Sequence, residues 1–316
     1  MSAQGIASRQ FKRTRNVMAR SGFLVVALLL LPHPLCAAVQ APLKVYISAD
    51  MEGIGGVVSP EQLGPTGFEY ARAREWMTAE VLAAIQGARD AGATEIVVSD
   101  SHGNGQNLLI DRLPADITVI RSWPRPLMMM EGIDSSFAAA LFIGYHAATT
   151  NLAGVRAHTI SSARLTGVYL NGTSMPESGI NATIAGHFGV PIVMISGDDA
   201  AVREAQALIG PMEGAEVKRA ISFHAAATMT PEAAQALVRR KAKAGIERRR
   251  ELRPYVMRGP ITLDVSFKNY RPAEMLAWLP MVQRRDAHTI RYVAADILLI
   301  SRFLEFITTY SIEIDP

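Results

Sequence analysis

The segment Val45-Tyr46-Ile47-Ser48-Ala49-Asp50-Met51-Glu52-Gly53 decides the fold: an apolar run that ends abruptly in two acids and a glycine. Two further stretches repeat the grammar. Ile96–Ser99 runs into Asp100-Ser101-His102-Gly103, and Leu141–Ile143 runs into Gly144-Tyr145-His146-Ala147. Between such segments lie stretches of helical period, above all Phe68–Ala91, where Met77, Val81, Ile85 and Ala88 share one face and Gly92 stops the helix. Near-continuous apolar strands alternating with helices predict an α/β fold built on a mostly parallel sheet, flanked by helices and buried on both faces. In such sheets the loops beyond the carboxyl ends of the strands converge on one crevice. Asp50, Glu52, His102 and His146 would therefore meet there.

Outward from this stretch, strands are expected at Glu95–Ser99, Ile117–Arg121, Ala140–Ile143 and Val190–Ser196, with a helix at Ala200–Ile209 capped by Asp199. Leu165–Leu170 meets Asn171-Gly172 and then Thr173–Pro176, which spells a two-residue hairpin. Composition shifts at Gly210–Gly214, and beyond it come a strand at Val217–Ser222, a helix from Pro231, strands at Ile261–Phe267 and Thr289–Val293, and a helix at Ala294–Thr309. This organisation predicts a larger α/β domain over 39–214 and a second, smaller α/β domain over 215–316.

The first 38 residues stand apart. Arg9, Lys12, Arg13, Arg15 and Arg20 form a basic, acid-free region, Gly22–Leu31 a short apolar one, and Cys36-Ala37-Ala38 a small-residue end. The pattern is that of a cleaved export signal and predicts a periplasmic or secreted protein. The apolar run is short for a membrane span, and Pro32 and Pro34 break it. Removing the leader takes five of the 32 Lys and Arg and none of the 29 acids, which turns a formal net charge of +3 into −2. The basic balance is thus a property of the leader, and nucleic-acid binding loses its compositional support. The one cysteine leaves as well, so thiolate catalysis and thiolate metal ligation are excluded from the remainder.

What is left for chemistry is oxygen and nitrogen. Asp50 and Glu52, two residues apart, face the same way on a continuing strand and repel each other unless a cation or a shared proton intervenes. With two imidazoles delivered to the same crevice, a divalent metal is the reading that accounts for all four. Zinc suits such a set best, although manganese and iron accept it too. Gly53, Gly55 and Gly56 could instead cradle a phosphate, but no Gly-Lys-Ser/Thr follows. No Gly-x-Ser-x-Gly elbow exists, and the basic run Arg239–Arg253 reads as a solvated helix face.

Ser48-Ala49-Asp50-Met51-Glu52-Gly53, Asp100-Ser101-His102, Gly144-Tyr145-His146-Ala147, Pro176-Glu177-Ser178-Gly179-Ile180-Asn181-Ala182 and Gly197-Asp198-Asp199, in that order, resemble the D-aminopeptidase family of zinc peptidases, the DppA-like group. The resemblance implies two Zn²⁺ ions per subunit, held by Asp50, Glu52, His102, His146 and Glu177. It implies His158 as the catalytic nucleophile or base. It also implies a self-compartmentalising homo-oligomer, a decamer, acting on short peptides that begin with a D-residue such as D-alanine. A metal-dependent amidase or esterase, or a periplasmic peptide- or metal-binding protein, are the alternatives.

Overall fold

The computed structural model describes residues 42–311; the expected leader lies outside them. The apolar strands assemble into a seven-stranded sheet. Its members are β1 (Lys44–Ala49), β2 (Glu95–Asp100), β3 (Thr118–Ile120), β4 (Ala139–Tyr145), β7 (Ile192–Asp198), β8 (Glu213–Ser222) and β9 (Ala225–Thr228). They lie in the order β3-β2-β1-β4-β7-β8-β9. Every pairing is parallel except the hairpin of β8 with β9. From β1 the chain steps outward to β2 and β3, then returns to β4 on the other side. The topological switch point therefore falls between β1 and β4, where the crevice of an open α/β sheet opens.

Two helices cover one face of this sheet: α1 (Tyr70–Asp90) and α4 (Pro231–Glu247) pack against each other and onto Val45, Ile47, Leu141 and Val193. The other face, with Tyr46, Ala140 and Phe142, is closed by α2 (Glu177–His187), α6 (Ile297–Thr309) and a second sheet. That sheet contains β5 (Leu165–Leu170), β6 (Thr173–Ser174), β10 (Ile261–Phe267), β11 (Val282–Arg284) and β12 (Thr289–Ala294), all antiparallel, in the order β11-β12-β10-β5-β6. Its two faces differ, as strict alternation requires. Ile261, Leu263, Val265 and Phe267 are buried, and the residues between them are half-exposed. The predicted hairpin is present, with Asn171 at φ 49° and Gly172 at φ 81°, the left-handed pair a tight turn demands.

The division expected at 214 does not occur. β8 runs through it, in parallel register with β7 (Ile195 beside Gly214), and the described residues form one compact unit. The physical reason is the hairpin at 165–174. It leaves the parallel sheet and pairs with β10, so that the second sheet draws on both halves of the chain and shares a core with the first. Smaller corrections concern α3 (Asp199–Ile209), whose cap is Asp198, accepting from the amide of Ala201, and β9, β11 and α5 (Tyr270–Leu276), which no periodicity announced. Among the described residues no helix is long and apolar enough to cross a membrane.

Candidate metal centre

Asp50 is the first residue past β1, and its amide donates to the carbonyl of Ile143 at 2.8 Å, which carries the pairing of β1 with β4 one step beyond the strand. The chain then turns on Gly53, whose amide donates to Gly144 at 2.7 Å. A Cβ on Gly53 would lie 2.0 Å from the carbonyl oxygen of Tyr145, so only glycine lets the two loops touch. Gly144 itself sits at φ +72°, where the register of β4 with β7 shifts. This close approach brings Asp50 and Glu52 beside His146. His102 arrives from the end of β2, on a loop tied down by Asp100. That carboxylate accepts the amides of Asn107 and Leu108 at 2.6 and 2.7 Å and the Asn107 side-chain amide at 2.8 Å. Glu177 opens α2, and His158 comes from the loop before β5.

All six side chains converge, and the three imidazoles are set alike. Each donates one ring N–H to a backbone carbonyl, which can only accept: His102 Nε2 to Leu63 at 2.8 Å, His146 Nδ1 to Ala147 at 3.0 Å, His158 Nδ1 to Arg156 at 2.8 Å. The remaining nitrogen of each ring faces carboxylate oxygen. His102 Nδ1 lies 3.1 Å from Asp50 Oδ1 and 2.9 Å from Glu52 Oε2. His146 Nε2 lies 3.3 Å from Asp50 Oδ2 and 3.5 Å from Glu177 Oε1, and His158 Nε2 lies 3.7 Å from that same oxygen. The rings of His146 and His158 stack with centroids 4.0 Å apart. A neutral ring would oppose its lone pair to an anionic oxygen at each of these contacts, which repels unless a proton or a metal cation sits between them. Carbonyl-locked tautomers are also what metal-ligating histidines display.

The electrostatics express the same demand. Burial opposes charge on His102 and His146. The neighbouring carboxylates (Glu52 and Asp50 for the first, Glu177 and Asp50 for the second) overcome it and hold both rings well above the usual imidazole range. Asp50 is pushed up by burial and by the charge of Glu52. Glu52 and Glu177 are held low against the cost of burial, by His102 and His146 respectively. Glu52 Oε2 and His146 Nε2 are buried without a hydrogen-bond partner among the described residues. The donor set thus fits a doubly charged ion: Asp50, Glu52 and His146 have ligand atoms within 4.8 Å of one another, and so do His146, His158 and Glu177. Asp50 turns one oxygen to His102 and the other to His146, the posture of a bridging carboxylate.

Two supporting residues carried no signal in the sequence. Lys218, in β8 and 3% exposed, donates its three N–H groups to the carbonyls of Glu52, Ile54 and Val57. Glu80, on α1, accepts the amide of Gly55 at 2.8 Å. A buried cation and a buried acid thus grip the 52–57 loop from two sides. Only the topology brings β8 and α1 to that loop, so neither periodicity nor spacing could have pointed to them.

Buried imidazoles and carboxylates at the switch point of a parallel sheet, opening on a cavity of about 580 Å³, place the protein among the metal-dependent enzymes of the α/β class. The D-aminopeptidase family model matches residues 43–306. The D-aminopeptidase of Bacillus subtilis (strain 168) is 34% identical over 260 residues, 81% of this chain and 93% of that one. The solved structure of the Zn-dependent D-aminopeptidase DppA from Bacillus subtilis, described as a self-compartmentalizing protease, superimposes with a TM-score of 0.79 at 32% identity, covering 85% of this chain and 100% of that chain. The chain belongs to the D-aminopeptidase family, and with that membership the expected fold and the expected enzyme class, a metallo-aminopeptidase, both stand.

Proposed function

We propose that this protein is an exported aminopeptidase that uses two zinc ions per subunit to remove N-terminal D-residues, D-alanine above all, from short peptides. The observation that carries this reading is the trio of imidazole nitrogens that each face carboxylate oxygen with the opposite ring nitrogen tied to a carbonyl. His102 and Glu52 would hold one ion, His146 and Glu177 the other, with Asp50 between them. Zinc so held supplies Lewis acidity and lowers the pKa of a coordinated water. The chain's own part is to orient and to move a proton. The carbonyl of Arg156 fixes the ring of His158, so that Nε2, at the cavity wall, is the atom that takes a proton or attacks. A second reading has a specific observation behind it: the ligand atoms of His158, His146 and Glu177 lie within 4.8 Å of one another, so His158 could be a ligand of the second ion.

The leader supports export, and the wall peptides outside the cytoplasmic membrane supply D-alanine there. Family membership supports a homo-oligomer, which the resemblance makes a decamer; light scattering of the purified protein reads it directly. The activity test compares alanine release from D-Ala-D-Ala and L-Ala-L-Ala by the zinc-loaded protein. A strong D preference abolished by chelator is expected, and no release from either peptide with zinc bound would sink the proposal. His158→Ala separates the two roles of that residue. As a proton carrier its loss leaves two zinc ions bound, and as a ligand it costs one.

A further inference from the structure

Resting on the aminopeptidase reading, we propose that Arg164 is the subsite for the carboxylate at the far end of the substrate, so that the enzyme's substrates are short peptides with a free C-terminus. A short peptide is a zwitterion whose two ends must both be received. The cavity wall carries four acids: Asp50, Glu52 and Glu177 in the cluster, and Glu305 on α6. Against these, among the described residues, it has one permanent cation, Arg164. With the three cluster acids given over to the zinc ions, the N-terminal end of the substrate belongs beside them, and Arg164 is where the far carboxylate is welcome.

The backbone explains why the guanidinium is available. The segment from His158 to Arg164 runs along the cavity wall and is pinned at both ends. The amide of His158 donates to Ala147 at 3.0 Å, and the amide of Ile160 donates to Glu177 Oε1 at 2.6 Å. At the other end the carbonyl of Arg164 accepts the amide of Lys268 at 2.8 Å, and Lys268 Nζ reaches the carbonyl of Ser162 at 2.6 Å. The Arg164 side chain spends one donor, Nη1, on the carbonyl of Thr308 at 2.9 Å, the last turn of α6. That contact aims the fork and, among the described residues, leaves its other donors open. No carboxylate lies within ion-pair distance of Arg164 among the described residues. The nearby acid of the wall, Glu305, is occupied: its Oε1 accepts the amide of Arg125 at 3.2 Å and the hydroxyl of Thr309 at 3.1 Å.

The reach is right for a short chain. The six steps from His158 to Arg164 span at most roughly 20 Å if fully extended, and a turn, Leu165 N to Ser161 O at 3.0 Å, shortens them. The gap is therefore no longer than an extended peptide of about six residues. A planar guanidinium with open N–H groups is also the side chain best matched to a carboxylate.

The test uses the full-length zinc-loaded protein, D-Ala-Gly-Gly and its C-terminal amide. The free acid should show a KM lower than the amide by roughly tenfold, the scale of one charge-assisted contact at a partly exposed site. Arg164→Met should raise KM for the acid by about that factor with kcat little changed, move KM for the amide far less, and so erase the preference; Arg164→Lys should restore part of it. Equal KM values for acid and amide in the wild type, or a variant that raises both alike, would overturn the subsite. If neither peptide is cleaved, it is the aminopeptidase reading that falls. Calorimetric titration of the same two peptides into wild type and Arg164→Met then decides the subsite separately. Acid-selective binding lost in the variant keeps it, and equal binding or none removes it.

Discussion

The two sheets share one core and divide the labour unequally. The parallel sheet is buried on both faces, so it has no side left for solvent chemistry and projects its functional groups from the strand ends: Asp50 and Glu52 from β1, His102 from β2, His146 from β4. The antiparallel sheet buries one face and leaves the other half-wet, and its contribution lies in the segments that enter and leave it. His158 and Arg164 precede β5, and Glu177 follows β6. Parallel pairing thus concentrates ligands at one edge, while antiparallel pairing builds a wall beside them. If that division is right, damage to the first sheet's loops should register as lost metal, and damage to the second sheet's core as lost stability alone.

The largest effect is expected at the junction of the two. Glu177→Gln removes a charge that faces both His146 and His158 and should lower alanine release by at least roughly a thousandfold, about 4 kcal/mol. Zinc analysis should show at least one ion missing, and added chelator should change the variant's melting temperature less than the wild type's. Full zinc content in an inactive variant would shift Glu177 from ligand to proton carrier and blur the comparison.

Leu263→Ala tests the other side. Leu263 is fully buried in β10, in the core that both sheets share. Deleting its side chain should cost about 2–5 kcal/mol in denaturant unfolding, the usual toll of a large-to-small change in a packed core. Zinc affinity of the folded protein should stay within about threefold of wild type. A parallel collapse of metal binding would mean that the wall and the ligand edge are one cooperative element.

How much of this was legible beforehand follows the same division. The parallel strands carry their signature in continuous runs such as Val45–Ala49, and the ligand acids and imidazoles stand directly after them, so Asp50, Glu52, His102 and His146 could be gathered from position alone. Glu177 and His158 could not, because the crossing of the 165–174 hairpin into a second sheet is a long-range pairing with β10 that no local pattern encodes. The boundary placed at 214 failed for that reason. A composition shift marks a loop, and here the loop merely precedes a strand that returns to the first sheet. Lys218 and Glu80 were invisible for a simpler cause: a lysine in a strand and a glutamate in a helix read as surface until the fold buries them.

Glu80 gives the comparison a pH axis. Burial raises its carboxyl from the ordinary 4.5 to about 7, against the smaller opposing pull of the Gly55 amide and Lys218, and its Oε2 has no hydrogen-bond partner among the described residues. Between those two values the folded state holds a proton that the unfolded chain has released. Stability therefore falls as pH rises from about 4.5 to 7, by about 3 kcal/mol from this group. Glu80→Gln keeps the shape and removes the titration. The gap between variant and wild type in urea midpoint should widen with pH across that window and level off above it. A constant gap would mean that Glu80 stays ionised in the fold.

The smallest expected effect is the most discriminating. Lys218→Met keeps the bulk of the side chain but strips three donors from the 52–57 loop, leaving the carbonyls of Glu52 and Val57 without a partner among the described residues, while that of Ile54 keeps the Val57 amide at 3.1 Å. Some stability must go, since buried acceptors without partners cost about 1–3 kcal/mol. The distinctive readout is zinc affinity. Outer groups that orient ligands are worth about 10- to 100-fold in metal binding, so competition with a chelator should show a loss of that size, largest for the ion on the Glu52 side. Leu263→Ala and Lys218→Met would then both cost stability, the first more than the second, with opposite consequences for metal. Equal zinc affinity in the two variants would leave the loop's geometry to Gly53 and the β1–β4 pairing alone, and Lys218 would be a buried cation that serves the fold rather than the site.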